Sequence, residues 1–250
     1  MLAQRSADTK LPDAGSSDEI IVQALKIPRG KLPVNVQWTT QNEIPSRIAY
    51  ERADQFFTCA MRKVDQAKLR EAVEGPPNFA STRYAQGMVI VTNFGCYPPR
   101  RYGVSSDPVD YGGDLLDRGI LIERTLRAYL PNATLNVSQT LDPAVRERFL
   151  RTEMDHNRYR LGPTVAAFSI ASCLVQVQPE LATRLVHAEQ GSPLVRGLEQ
   201  AMIVNAPQCI EGRKKIVVEP TTSRLYIVEA FYRWLMAARN ASTLIPHTTT

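Results

Sequence analysis

A mainly helical protein, built from two duplicated, disulfide-stapled helical units with a few short β-strands, is the fold this sequence predicts. Three observations point there. The stretch Asp54 to Cys96 places Cys59 in the aromatic run Asp54-Gln-Phe-Phe-Thr-Cys59 and ends on a second cysteine. The same layout returns at Ala167 to Cys209, with Cys173 in Ala167-Phe-Ser-Ile-Ala-Ser-Cys173, and the two cysteine spacings are 37 and 36 positions. Each interval is interrupted midway, by Gly75-Pro76-Pro77 and by Gly191-Ser192-Pro193, and each is followed by a run with matching charges: Arg118, Glu123 and Arg127, then Arg224, Glu229 and Arg233. A repeat of this kind decides the architecture before any single element does.

The chain holds four cysteines, which allow three pairings; the repeat selects Cys59 with Cys96 and Cys173 with Cys209. Closing a loop of this length is worth at most roughly 4 kcal/mol in the chain-entropy model. The competing reading, four reduced cysteines packed as small apolar side chains in helices that fell into step by accident, stays open on sequence alone.

Residues 1–45 read as an N-terminal arm with short strands. Within it, Asp18-Glu-Ile-Ile-Val22 is either a short strand on the body or a segment that adds to a partner's sheet edge, and Pro33 to Trp38 alternates with the period of a strand. The first helical unit is expected over residues 46–141. Its first helix starts at Ser46 as N-cap and turns Ala53, Phe57, Ala60 and Val64 inward; Asp65 caps a second helix, Gln66 to Val73. Ala80 to Phe94 follows as a helix with Tyr84, Met88 and Val91 in register, although Val89 to Thr92 is also compatible with a strand. After the irregular segment Tyr97 to Asp117 come a helix to Leu130 and a strand at Thr134 to Thr140. Asp142-Pro143 opens a connecting helix within residues 142–163, whose interleaved arginines and acids predict an exposed, ion-paired face. The second unit, residues 164–240, holds helices at Val165 to Val177, Pro179 to Ala188, Pro193 to Asn205 capped by Ser192, and Ser223 to Arg239, with a brief strand at Lys214 to Glu219. Residues 241–250 read as a tail.

With 44% hydrophobic and 22% charged residues this is an ordinary globular composition, and no run approaches the roughly 18 apolar residues of a membrane span. The net charge of +5 is spread without a block of like charges, so nucleic acid is an unlikely partner on composition. None of the motifs His-Glu-x-x-His, Gly-x-Ser-x-Gly, Cys-x-x-Cys or a phosphate-cradling glycine loop is present. His156 and His187 read as surface residues. No catalytic residue, cofactor or metal is therefore predicted. Asp107, Asp110, Asp114 and Asp117 do not follow the spacing of an EF-hand. The candidate binding loop is Tyr97, Arg100, Arg101 and Tyr102, whose arginines and aromatic rings suit an anion or a glycan; a solvated connection is the plainer reading.

A cysteine in an aromatic-led helix, a breaker, a second cysteine three dozen residues on and a closing Arg-x-x-x-x-Glu-x-x-x-Arg helix together resemble a group of uncharacterised exported bacterial proteins. The resemblance covers about Ala53 to Leu130 and Ala167 to Leu235 and implies no activity. The start Met-Leu-Ala-Gln-Arg-Ser resembles what remains once a signal peptide has been removed, and paired cysteines suit the periplasm or beyond. The expectation is a periplasmic or secreted, non-enzymatic binding or structural module acting on an unknown protein or envelope component. Two alternatives stand beside it. One is a hydrolase-like enzyme with a site assembled from Glu123, Glu229 and nearby arginines; the other is a weak nucleic-acid or anion binder. On the first expectation each Glu and Arg set is one structural ion pair within its own unit.

Overall fold

A computed structural model describes residues 35–39, 43–97, 115–212 and 215–247. Among these the fold is mainly helical, as the sequence predicts. The strand β1 (Asn35–Trp38) is followed by α1 (Glu43–Ala60), α2 (Gln66–Glu74) and α3 (Ala80–Thr92), then a 3-10 turn at Phe94–Cys96. Next come α4 (Leu115–Tyr129), the one-turn α5 (Val137–Thr140) and α6 (Pro143–Asn157). The chain continues through α7 (Gly162–Val177), α8 (Pro179–His187), α9 (Pro193–Asn205), a 3-10 turn at Pro207–Cys209, the strand β2 (Lys215–Val218) and α10 (Pro220–Arg239). The strands pair in parallel, Asn35 opposite Lys215 and Trp38 opposite Val218, so residues 39–214, including nine of the ten described α-helices, lie between them.

The core is organised around α10. Its residues from Arg224 to Leu235 are all buried, and α1, α4, α6, α7, α8 and α9 pack on it. A helix buried on every side is normally apolar on every side. This one carries Arg224, Glu229 and Arg233, each of which must then find a partner inside the protein. One hydrophobic cluster runs without a break from Tyr50 in α1 to Ile245 beyond α10, through both predicted units. Both disulfides form as predicted, Cys59 with Cys96 and Cys173 with Cys209, with Cα atoms 5.6 and 5.5 Å apart. In each case the bond ties a long helix to a 3-10 turn that follows the third helix of its half.

Several elements depart from expectation for local reasons. The first helix begins at Glu43 instead of Ser46, because Pro45 falls in its first turn, where the missing N–H has no intrahelical acceptor anyway. The expected strand at Thr134 to Thr140 is α5, closed by a capping box in which Asn136 and Gln139 bond each other's backbone. The last helix starts at Pro220, three residues before Ser223, because the Glu219 carboxylate accepts from Thr221 and Thr222 N–H. Ser192 stands at the head of α9 but gives it no side-chain cap. Of the expected tail, residues 241–247 pack on the body: Leu244 and Ile245 are buried, and Glu74 Oε1 accepts from Thr243 Oγ1 and Leu244 N, each at 2.9 Å; residues 248–250 lie outside the described residues.

The face that α3 buries is one that the sequence leaves open. Tyr84 and Val91 point to solvent, while Thr82, Ala85, Gln86, Val89, Ile90 and Asn93 are buried. Two of the polar groups there are satisfied: Gln86 Nε2 donates to Ala72 O at 3.1 Å and Asn93 Nδ2 to Val89 O at 2.8 Å, whereas Thr82 Oγ1 is buried without a hydrogen-bond partner among the described residues. No single helix among the described residues is long and apolar enough to cross a membrane.

Candidate functional site

The charged residues that matched between the predicted units meet in the centre of the fold, with crossed partners. Arg118 on α4 donates Nε to Glu229 on α10 at 3.3 Å, and Arg224 on α10 donates Nη1 to Glu123 on α4 at 2.6 Å. The expected pair within a unit forms once, as Arg127–Glu123 at 2.6 Å, while Arg118 and Arg224 each reach the acid of the other half. The reason lies in the α4–α10 crossing. Arg118 and Glu123 lie more than a turn apart on one helix, as do Arg224 and Glu229, so each arginine reaches the acid on the facing helix. The helices approach closely where they cross, since a Cβ added at Gly119 would lie 2.7 Å from Leu225 Cβ.

The remaining donors of these arginines close helix ends. A helix C-terminus leaves its last carbonyls without intrahelical partners. Arg118 donates to Ala72, Val73 and Gly75 O at 2.8, 3.0 and 2.9 Å, and Arg233 donates to Val73, Glu74 and Gly75 O. At the end of α8, Arg224 donates to Leu185, Val186 and Ala188 O, the last at 2.8 Å. Arg127 joins it there, binding Glu123 at 2.6 Å and Ala188 O at 3.5 Å.

Two carboxylates sit where catalytic acids would be sought, and both are wholly engaged. Burial alone would raise the Glu229 carboxyl, but Arg160 and Arg118 outweigh it and hold it well below the usual carboxylate range. Burial likewise opposes ionisation of Glu123, which Arg224 overcomes; Tyr50 Oη adds a bond at 2.8 Å. Burial pushes the Arg118 guanidinium down to about 10, with Glu229 restoring part of the loss. Such groups remain ionised and hydrogen-bonded through the neutral range, and neither carboxylate is exposed to a substrate.

Around Glu229 the cluster extends to α6. Arg160, stacked on Phe168 at 3.6 Å, donates to Glu229 at 2.9 and 3.2 Å and approaches Glu153. His156 is buried beside Glu153 at 3.5 Å and is not the surface histidine the sequence predicts. Burial lowers its affinity for a proton despite Glu153. The ion-paired exposed face of α6 is real for Arg151–Glu147 and Arg158–Asp155, yet Glu153 on the same helix belongs to the core. His187 is exposed, as expected, with Nε2 2.8 Å from Ala133 O.

An open cavity of about 360 Å3 lies between α6 and the end of α10, lined by Arg148, Phe149, Met236 and Ser242 among others. This is the low end of the range for ligand sites, and the acid beside it, Glu153, is buried against His156 and arginines. Among the described residues no group of three metal-ligating side chains is present. Of the predicted binding loop, Tyr97 packs its ring 5.0 Å from Phe56 and 5.1 Å from Phe94; Arg100, Arg101 and Tyr102 lie outside the described residues.

The surface offers a different candidate. Tyr84, Val91 and Phe94 are exposed along α3 and the turn after it, Tyr84 and Val91 in the helical register that the sequence shows, with Met88 half-buried between them. Two bases lie beside this stripe: Arg83 is the single charged residue of α3, and Lys68, paired with Glu71 at 3.6 Å, lies over the Tyr84 ring at 5.6 Å. The signal was present in the sequence as an apolar register, but the register does not say which way it faces. No family model, no curated protein and no solved structure matches this chain.

Proposed function

We propose that this protein is a non-enzymatic binding or structural module of the periplasm or the secreted space, in which a rigid helical body presents α3 to a protein partner. The observation that carries this reading is the division of roles between inside and outside. The acids and arginines with catalytic potential are buried and engaged with one another, while a helix leaves an apolar stripe in water. Contiguous exposed apolar surface marks interaction sites. The basic flank selects the occupant, an amphipathic segment with acidic residues beside its apolar ones. Two disulfides support a compartment where thiols oxidise.

The internal duplication belongs to the same proposal. It is supported by the shared offset of 106 positions that relates Arg118 to Arg224, Glu123 to Glu229 and Arg127 to Arg233. Reciprocal contacts of this kind are those of two like subunits about a two-fold axis. A related chain holding one copy and dimerising through the same crossed pairs would support it. Failure of residues 43–129 and 162–239 to superimpose on these arginines would sink it.

Photocrosslinking in the native host tests the binding role. A crosslinker at Tyr84, Val91 or Phe94 gives one discrete adduct, one at Glu147 does not give it, and Val91→Asp abolishes it without lowering the melting temperature. Adducts that form equally at Glu147, that survive Val91→Asp, or that never form overturn the reading.

A further inference from the structure

The cavity of about 360 Å3 between α6 and the end of α10 owes its shape to the way the chain reverses after that helix. Asn240 takes the left-handed conformation, with φ 49°, and the turn is closed by Asn240 N–H to Ala237 O at 3.2 Å and by Ala241 N–H to Met236 O at 3.1 Å. This pair of bonds is the Schellman way of ending a helix. The residues that follow are anchored in turn, because Glu74 holds Thr243 and Leu244. Ser242, although exposed, is thereby fixed between two held segments on the rim of the cavity.

Charge decides what the cavity accepts. Its wall contains three arginines, Arg148, Arg151 and Arg233. Arg151 is engaged by Glu147 at 2.6 Å, and Arg233 stands 3.6 Å from Glu153 with its terminal nitrogens on the end of α2. Arg148 is the one arginine of this wall without an acid among the described residues. Its Nε donates to Ala237 O at 2.9 Å, and no described residue takes Nη1 or Nη2. The negative pole of a helix C-terminus would repel an anion, but here its carbonyls are covered: Ala237 O accepts from Asn240 and Arg148, and Met236 O from Ala241. Asn240 and Ser242 add an amide and a hydroxyl beside Arg148, both able to donate. Phe149 and Met236 supply the apolar part, with the Phe149 ring stacked on Trp234 at 4.0 Å. A guanidinium with both terminal nitrogens open binds a carboxylate through two parallel hydrogen bonds.

We infer that this cavity binds a small organic monocarboxylate, its carboxylate on Arg148 and Ser242 and its compact apolar body against Phe149 and Met236. One uncommitted cation sets the ligand's charge at a single negative one. The volume, low among cavities that hold ligands, limits the body to a single ring or a short chain. The site shares no residue with α3, so it stands or falls apart from the binding role of that helix.

Amide chemical-shift titration by NMR of the full, disulfide-bonded chain at pH 7 tests the assignment with three probes. Benzoate carries both charge and ring, benzamide has the same shape without the charge, and inorganic phosphate has charge without the ring. Benzoate binds with a Kd of about 1 mM or tighter and shifts the amides of residues 148–149 and 240–242. Benzamide and phosphate each bind about tenfold more weakly or worse, since each lacks one half of the recognition. Arg148→Gln weakens benzoate by about tenfold or more. Because Arg148 also caps α10, Ser242→Leu serves as a second variant: it alters an exposed side chain, keeps the parent's melting temperature and closes the cavity to benzoate. Absence of saturable shifts up to about 10 mM benzoate overturns the inference. So does benzamide or phosphate binding as tightly as benzoate, or benzoate binding that persists in either variant with the parent's melting temperature.

Discussion

Replacing Glu229 by glutamine keeps the side-chain volume and removes one negative charge from the centre of the fold. Glu229 is 1% exposed and accepts bonds from Arg118 Nε at 3.3 Å and from Arg160 at 2.9 and 3.2 Å. Glutamine offers a single acceptor oxygen, and its amide nitrogen would face a guanidinium. Arg118, Arg160 and Arg233 would then share Glu153 alone within the cluster. Removing one partner of a buried pair destabilises by about 3–5 kcal/mol, because the remaining charge stays buried. With a urea slope of about 1–3 kcal/mol/M, the unfolding midpoint at pH 7 falls by about 1 M or more. The exposed pair Arg151–Glu147 supplies the control, where Arg151→Ala changes stability by less than about 1 kcal/mol. The sign of the pH dependence follows from the depressed carboxyl. Its contribution is complete above the unfolded carboxyl value of about 4.3 and is lost as pH falls below it. The difference between parent and Glu229→Gln therefore narrows in acid. A loss at pH 7 no larger than that of Arg151→Ala would refute the reasoning.

Two further outcomes are expected. Glu199 on α9 is 1% exposed with no hydrogen-bond partner on either oxygen, and burial raises its carboxyl well above the usual range despite Ser223 and Arg224 nearby. A raised carboxyl stabilises fully below its unfolded value and progressively less as pH rises toward its folded one. Glu199→Gln therefore gains stability relative to the parent as pH rises from about 4.3 into the neutral range, and parallel melting curves across that window would contradict it. Removing either disulfide, as Cys59→Ser with Cys96→Ser or as Cys173→Ser with Cys209→Ser, costs up to about 4 kcal/mol by loop entropy. The loops are of nearly equal length, 37 and 36 residues, so the two losses in denaturant midpoint should match; a silent pair would show that its ends are held by packing alone.

Helices, breakers and cysteine pairs were legible because each depends on residues within a turn or two, or on a spacing repeated along the chain. Asp65 and Asp142 cap the helices they precede, and Pro143 and Pro179 stand in first turns as expected. Where a local signal was overlooked, as with Asn136 and Gln139 or Glu219, the element changed type or length while the path of the chain did not.

By itself, then, the chain determined most of its helices, since these are decided by neighbours in sequence, and its repeated spacing pointed to the cysteine pairs that form. Tertiary packing decided the rest. An apolar register such as Tyr84, Met88 and Val91 is the same whether it faces the core or water, and only the seating of α3 with Ala85 and Gln86 inward chooses between them. Matching arginines and acids foretell a pair but not its partner. The crossing of α4 over α10 at Gly119 brings Arg118 and Arg224 each to the acid of the other half, because the acid five positions along its own helix lies more than a turn away; Arg127, one turn from Glu123, keeps its partner within its own half.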